Sequence, residues 1–91
     1  MTTLEEAYDF FLFLEEMFTV TYRLGDPDQI EVKDVKAEFW DKVVAPRLPP
    51  WVRFVEHQIH ETRIISLREL PFSIQITLAA KISRQRRSIT T

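Results

Sequence analysis

The apolar period of this chain switches from helical to strand-like within one or two residues of Phe18, and few small folds accept that switch. From Leu4 to Phe18 apolar side chains recur at helical spacing; from Thr19 to Lys33 they recur at every second position. Thr3 and Glu6 have the spacing of a capping box, and Glu5 and Glu6 fall in the first turn, where the helix dipole favours anions. A helix is therefore expected over residues 4–18. On a wheel of about 100° per residue, Leu4, Ala7, Phe11, Leu14 and Phe18 share one arc, and Phe10, Phe13 and Met17 widen it. Only Glu5, Asp9 and Glu16 form a clearly polar side. A helix that covers one sheet face needs a stripe a little over ~100° wide. This stripe is about twice that, so the helix is expected to touch a second surface.

Val20, Tyr22 and Leu24 alternate on one side of a strand, as do Ile30 and Val32. Gly25-Asp26-Pro27-Asp28-Gln29 between them are turn formers, which predicts a β-hairpin with a five-residue loop. Asp34 is placed to cap a second helix over residues 35–44, which Pro46 ends. Pro46-Arg47-Leu48-Pro49-Pro50 reads as a stiff crossover; it also fits a proline-rich ligand motif, but a connector inside a folded domain needs fewer assumptions. Residues 51–60 fit two templates. Pro50 could open a helix with Val52, Val55 and Ile59 on one face, or an irregular strand could run through Val52 and Phe54. Phe72, Ile74, Ile76, Leu78, Ala80 and Ile82 alternate with smaller or polar residues, which predicts a long half-buried strand over 72–83, paired with residues 63–67.

These elements define an α+β fold: an antiparallel sheet of about four strands, in two hairpins, against two helices, or three if 51–60 is helical. Ninety-one residues make one domain, expected over 1–83, followed by a basic, flexible tail over 84–91. The apolar run Phe10–Leu14 follows Glu5, Glu6 and Asp9, not the basic flank of a secretory signal, and it is far shorter than the ~20 residues of a membrane span. A cytoplasmic chain is expected.

Several chemistries have no residues to carry them. The chain contains no cysteine, which excludes a disulfide scaffold, a thiolate zinc site and a cysteine nucleophile. It contains one glycine, too few for a glycine-rich phosphate loop. His57 and His60 lie in Glu56-His57-Gln58-Ile59-His60-Glu61, which matches neither zincin arrangement. On a helix they would pair with Glu61 and Glu56 at i,i+4; on a strand they would face opposite ways, and no metal site is expected. Glu5/Glu6 and Glu15/Glu16 are adjacent pairs that diverge by about 100° on a helix, so neither brackets a substrate. No catalytic residue and no cofactor is expected.

What remains is recognition. Aromatic and Met side chains suit interface cores, so Phe10, Phe13 and Met17 are the expected contact of a non-enzymatic protein–protein interaction module: an adaptor, regulator or assembly factor, either a homodimer or bound to a dedicated protein partner. Charge is polarised along the chain. Residues 1–41 hold eleven acids against three bases, a net −8, and residues 42–91 hold three acids against nine bases, a net +6. Lys81, Arg84, Arg86 and Arg87 concentrate the positive end and would suit an acidic partner. They also support an alternative, nucleic-acid contact with Arg63 or Arg68. Against that alternative stands a pI of about 5.6, acidic where a nucleic-acid binder is usually basic.

Overall fold

The computed structural model describes residues 2–90, with side chains to Gln85. Helix α1 spans Leu4–Met17, and the Thr3 hydroxyl oxygen accepts the Glu6 amide at 3.2 Å, so the predicted N-cap forms. Strands β1 (Thr19–Arg23) and β2 (Gln29–Lys33) follow as an antiparallel hairpin, with Tyr22 opposite Ile30. Asp28 organises the loop: its carboxylate accepts the Gly25 amide and the Tyr22 hydroxyl, each at 2.9 Å. A Cβ at Gly25 would meet the Pro27 carbonyl at 3.2 Å, tight enough to favour glycine there.

The second helix departs from expectation. Asp34 takes a left-handed conformation (φ 61°) instead of capping, and the helical stretch begins later. A short α2 (Ala37–Phe39) passes into a π-helical turn (Trp40–Val44) and a 3₁₀ turn (Ala45–Arg47). Pro46 explains the widening. It has no N–H for the Lys42 carbonyl, and the Ala45 amide reaches back five residues to the Trp40 carbonyl. Trp40 and Val44 are buried, while Phe39 is 42% exposed and meets the ring of Phe18 edge-on at 5.6 Å.

Residues 51–60 are not helical, and the strand expected through Val52 and Phe54 starts later: residues 51–54 are irregular and β3 is Val55–Gln58, joined through residues 59–61 to β4 (Thr62–Ser66). His60 and Glu61 in the turn both have positive φ, 61° and 55°, each costing on the order of 1 kcal/mol. The Val35 amide donates to the Glu61 carbonyl at 2.9 Å and ties this turn to the β2–α2 link.

The expected strand over 72–83 is a helix, α3 (Phe72–Thr90), which runs across the boundary drawn at residue 83. Ile74, Leu78 and Ile82 lie four apart, a spacing that fits an alternating strand and a helical face equally well. The residues that distinguish the two are Phe72, Ile76 and Ala80, and all three are exposed. Pro71 precedes the helix, and its carbonyl accepts the Ile74 and Gln75 amides.

The result is an α+β fold with a four-stranded antiparallel sheet in the order β1-β2-β4-β3. Since α3 is not a strand, β4 pairs with β3 on one side and β2 on the other. Val20, Ile30, Val32 and Ile65 face the helices and join Phe11, Leu14, Val44, Leu78 and Ile82 in the core. The other sheet face is charged and polar around Ile64. There Glu31 is buried to the extent that Arg23 and Lys33 flank it, at 3.4 and 3.3 Å.

Candidate functional site

The wide stripe of α1 is satisfied mostly within the chain. Phe10 is 6% exposed and meets the Trp51 ring edge-on at 5.7 Å. Phe13 stacks beside Phe10 and is half-buried beneath the Arg47 guanidinium, 5.2 Å from the ring centroid. The second surface that α1 touches is therefore the chain's own proline-rich crossover. Of the three side chains expected at a partner interface, Met17 alone is open, at 39%. Phe10 is a core residue, so of the contact expected on α1 Met17 and part of the Phe13 ring stay accessible.

The basic residues disperse. The Lys81 ammonium lies 4.5 Å from the centroid of the Tyr8 ring, so it serves α1–α3 packing. Arg84 is exposed further along α3, whereas the side chains of Arg86 and Arg87 lie outside the described residues. Arg63 is buried on β4, stacked at 5.9 Å over Trp40, with one guanidinium N–H donated to the Thr62 carbonyl and Nε unpartnered. It cannot reach a phosphate, while Arg68 is exposed. His57 sits in β3 and His60 in the turn beyond it. Among the described residues no three His, Asp or Glu side chains group as metal ligands. Nor is any helix among them long and apolar enough to cross a membrane.

A different surface emerges where β1 meets α3. The Tyr22 hydroxyl donates to Asp28 and lies 3.4 Å from the Gln75 carbonyl, which holds the hairpin loop against the helix. Burial pushes the Tyr22 phenol well above its usual range, and the hydrogen bond to Asp28 and its negative charge add to the shift. The ring is thus a neutral donor. Beside it runs a groove of about 300 Å³ lined by Tyr22, Leu24, Ala79, Ala80, Ile82 and Ser83. Leu24 stands on its rim, 77% exposed, and Phe72 and Ile76 rise from α3 two turns and one turn before Ala80, 74% and 54% exposed. Phe54 and Ile59 are also exposed, but they stand singly at the two ends of β3. Scattered apolar residues are ordinary on a protein surface; two large ones on one helix face, in line with an alanine that lines a groove, are not.

Sequence reasoning missed this surface because it assigned Phe72 and Ile76 to the buried face of a strand. On a helical wheel these residues fall opposite Ile74, Leu78 and Ile82, so the apolar set reads as scattered all round and the alternating template is preferred. Comparison with protein-family models, with curated proteins and with solved structures returns no match. The functional interpretation therefore rests on this chain's own geometry.

Proposed function

We propose that the chain is a non-enzymatic protein–protein interaction module, an adaptor, regulator or assembly factor acting in the cytoplasm, and that it docks its partner on the β1–α3 surface. The observation that carries the proposal is exposed Phe72 and Ile76, in line with Ala80 at four-residue spacing on α3, together with exposed Leu24, which lines the same groove as Ala80. The core is complete without the three exposed side chains, so their exposure costs solubility and contributes nothing to folding. Aromatic and branched aliphatic side chains beside a pocket are the usual anchors of a docking interface. Nucleic-acid contact has less support, because Lys81 is engaged with Tyr8 and Arg63 is buried.

The test places a photo-crosslinking amino acid at position 76, and as a control at exposed Gln58 on the far edge of the sheet, in cells that carry the chain. Discrete protein adducts from position 76, with none from position 58, are expected. No adduct from position 76, or the same adducts from both, would remove the proposal.

A further inference from the structure

We infer that the open end of the β3–β4 hairpin binds a small monocarboxylate that carries an apolar or aromatic group. The site lies apart from the β1–α3 surface and does not depend on the docking role proposed there. Val55 is paired with Ile65, so Phe54 and Ser66 come next along the hairpin. Around them lies a cavity of about 320 Å³ lined by Trp51, Arg53, Phe54, Ser66, Arg68 and Glu69. That volume stands at the small end of the ~300–1,000 Å³ range of ligand sites, so it suits a molecule or chain end of amino-acid size.

The lining is rich in donors. Trp51 is 5% exposed and packs edge-on against Phe10, and its indole N–H is buried without a hydrogen-bond partner. A buried donor in that state is uncommon and calls for an acceptor. The Ser66 oxygen accepts the Arg68 amide at 3.2 Å, which leaves the hydroxyl hydrogen to donate. Arg68 is exposed, and its guanidinium makes no ion pair among the described residues. Arg53 meets Glu69 through Nε at 3.9 Å, a long contact between two largely solvated groups. A carboxylate is the acceptor that guanidinium forks fit well, since each fork can offer parallel N–H donors to its two oxygens.

Charge and shape narrow the ligand. Two guanidinium groups against the Glu69 carboxylate leave the cavity one net positive charge. A monocarboxylate balances that charge, whereas a phosphate dianion exceeds it and is repelled by Glu69. Phe54, 71% exposed on the cavity lining, offers a surface for the ligand's apolar group. A second cavity adjoins the first at Trp51, Arg53 and Glu69, but it adds Glu6 and no further base, so the anion belongs in the first.

An NMR titration of the isotope-labelled chain with N-acetylphenylalanine at pH ~7, where that carboxyl is ionised, tests this. Saturable shifts are expected at the amides of Arg53, Phe54, Ser66 and Arg68 and at the Trp51 indole N–H. The indole of Trp40, stacked against Arg63, should stay in place. N-acetylphenylalaninamide, neutral but otherwise alike, should move none of them. Arg68→Gln, at an exposed position, should keep the wild-type fold and weaken binding about tenfold or more, the worth of one hydrogen bond to a charged group. A peptide ending in phenylalanine that binds more tightly than the capped amino acid identifies the source as a chain terminus; equal affinity identifies a free acid. Equal binding of acid and amide overturns the inference, as does tighter binding of inorganic phosphate. Resonances unmoved at about 10 mM, well above a millimolar Kd, overturn it too, and so does an Arg68→Gln chain that binds like wild type.

Discussion

At the scale of the residue, Tyr22 joins the hairpin loop to α3, and its chemistry makes that junction sensitive to alkali. The phenol donates to the Asp28 carboxylate and is pushed upward by burial first, then by that bond and charge. An unfolded tyrosine loses its proton near pH ~10, whereas the folded one keeps it beyond that point. Above pH ~10 the unfolded state therefore binds fewer protons than the native state, and stability falls as pH rises. Below it the contribution is fully present. Tyr22→Phe should lower stability at neutral pH by about 1 kcal/mol, the worth of a typical hydrogen bond. It should also flatten the decline above pH ~10. Thermal melts of both chains across that range check this through their difference, which cancels the other groups that titrate there. An equal alkaline slope in the two would show that Tyr22 does not govern it. None of this was legible in the sequence, where Tyr22 read only as one apolar position of a strand and Asp28 as a turn former.

At the scale of the element, legibility followed how far a pattern excluded its rival. In α1 the Thr3 cap and the helical wheel agree, and the boundaries came within a residue. The first hairpin was legible for the same reason: β-branched Thr19, Val20 and Thr21 disfavour helix continuation, and the turn formers between the strands are unambiguous. In α3 the pattern was degenerate, because every fourth residue is apolar and positions 72, 76 and 80 fill the gaps of an alternation. A length comparison would have helped, since a 72–83 strand would far outrun its five-residue partner β4. The two assignments differ sharply in energetics. A strand makes Ile76 and Leu78 equivalent members of one buried face, whereas in the helix Leu78 is fully buried and Ile76 lies mostly in solvent. Leu78→Ala should cost about 2–5 kcal/mol, and Ile76→Ala about 0.5 kcal/mol or less. Denaturant titrations of the two variants measure both; comparable losses would contradict the helical face. The π-helical turn after Phe39 was hidden for another reason. Pro46 announced a helix end, but which carbonyl the last free amide would choose depends on how deeply Trp40 and Val44 enter the core.

At the scale of the whole molecule, the sheet brings the two oppositely charged halves of the sequence together. The acidic first half supplies α1, β1 and β2; the basic second half supplies β3, β4 and α3. Pairing β2 with β4 joins the halves through the sheet centre, and α1 lies against α3 in the helical layer, where Lys81 reaches the ring of Tyr8. The charge polarity was visible in the sequence, but its spatial consequence needed the topology: had 72–83 been a strand, no basic helix would lie against α1. The ion pairs of Arg23 and Lys33 with Glu31 and of Arg53 with Glu69 each fall within one half, so attraction between the halves acts at longer range and is screened within a Debye length of about 10 Å at 0.1 M salt. Raising sodium chloride from about 0.02 M to about 0.5 M, which shortens that length severalfold, should therefore lower the melting temperature by a few degrees at protein concentrations too low for association. A rise would mean that repulsion within each half outweighs attraction between them. Sulfate cannot replace chloride in the experiment, because it strengthens apolar burial and would mask the electrostatic loss.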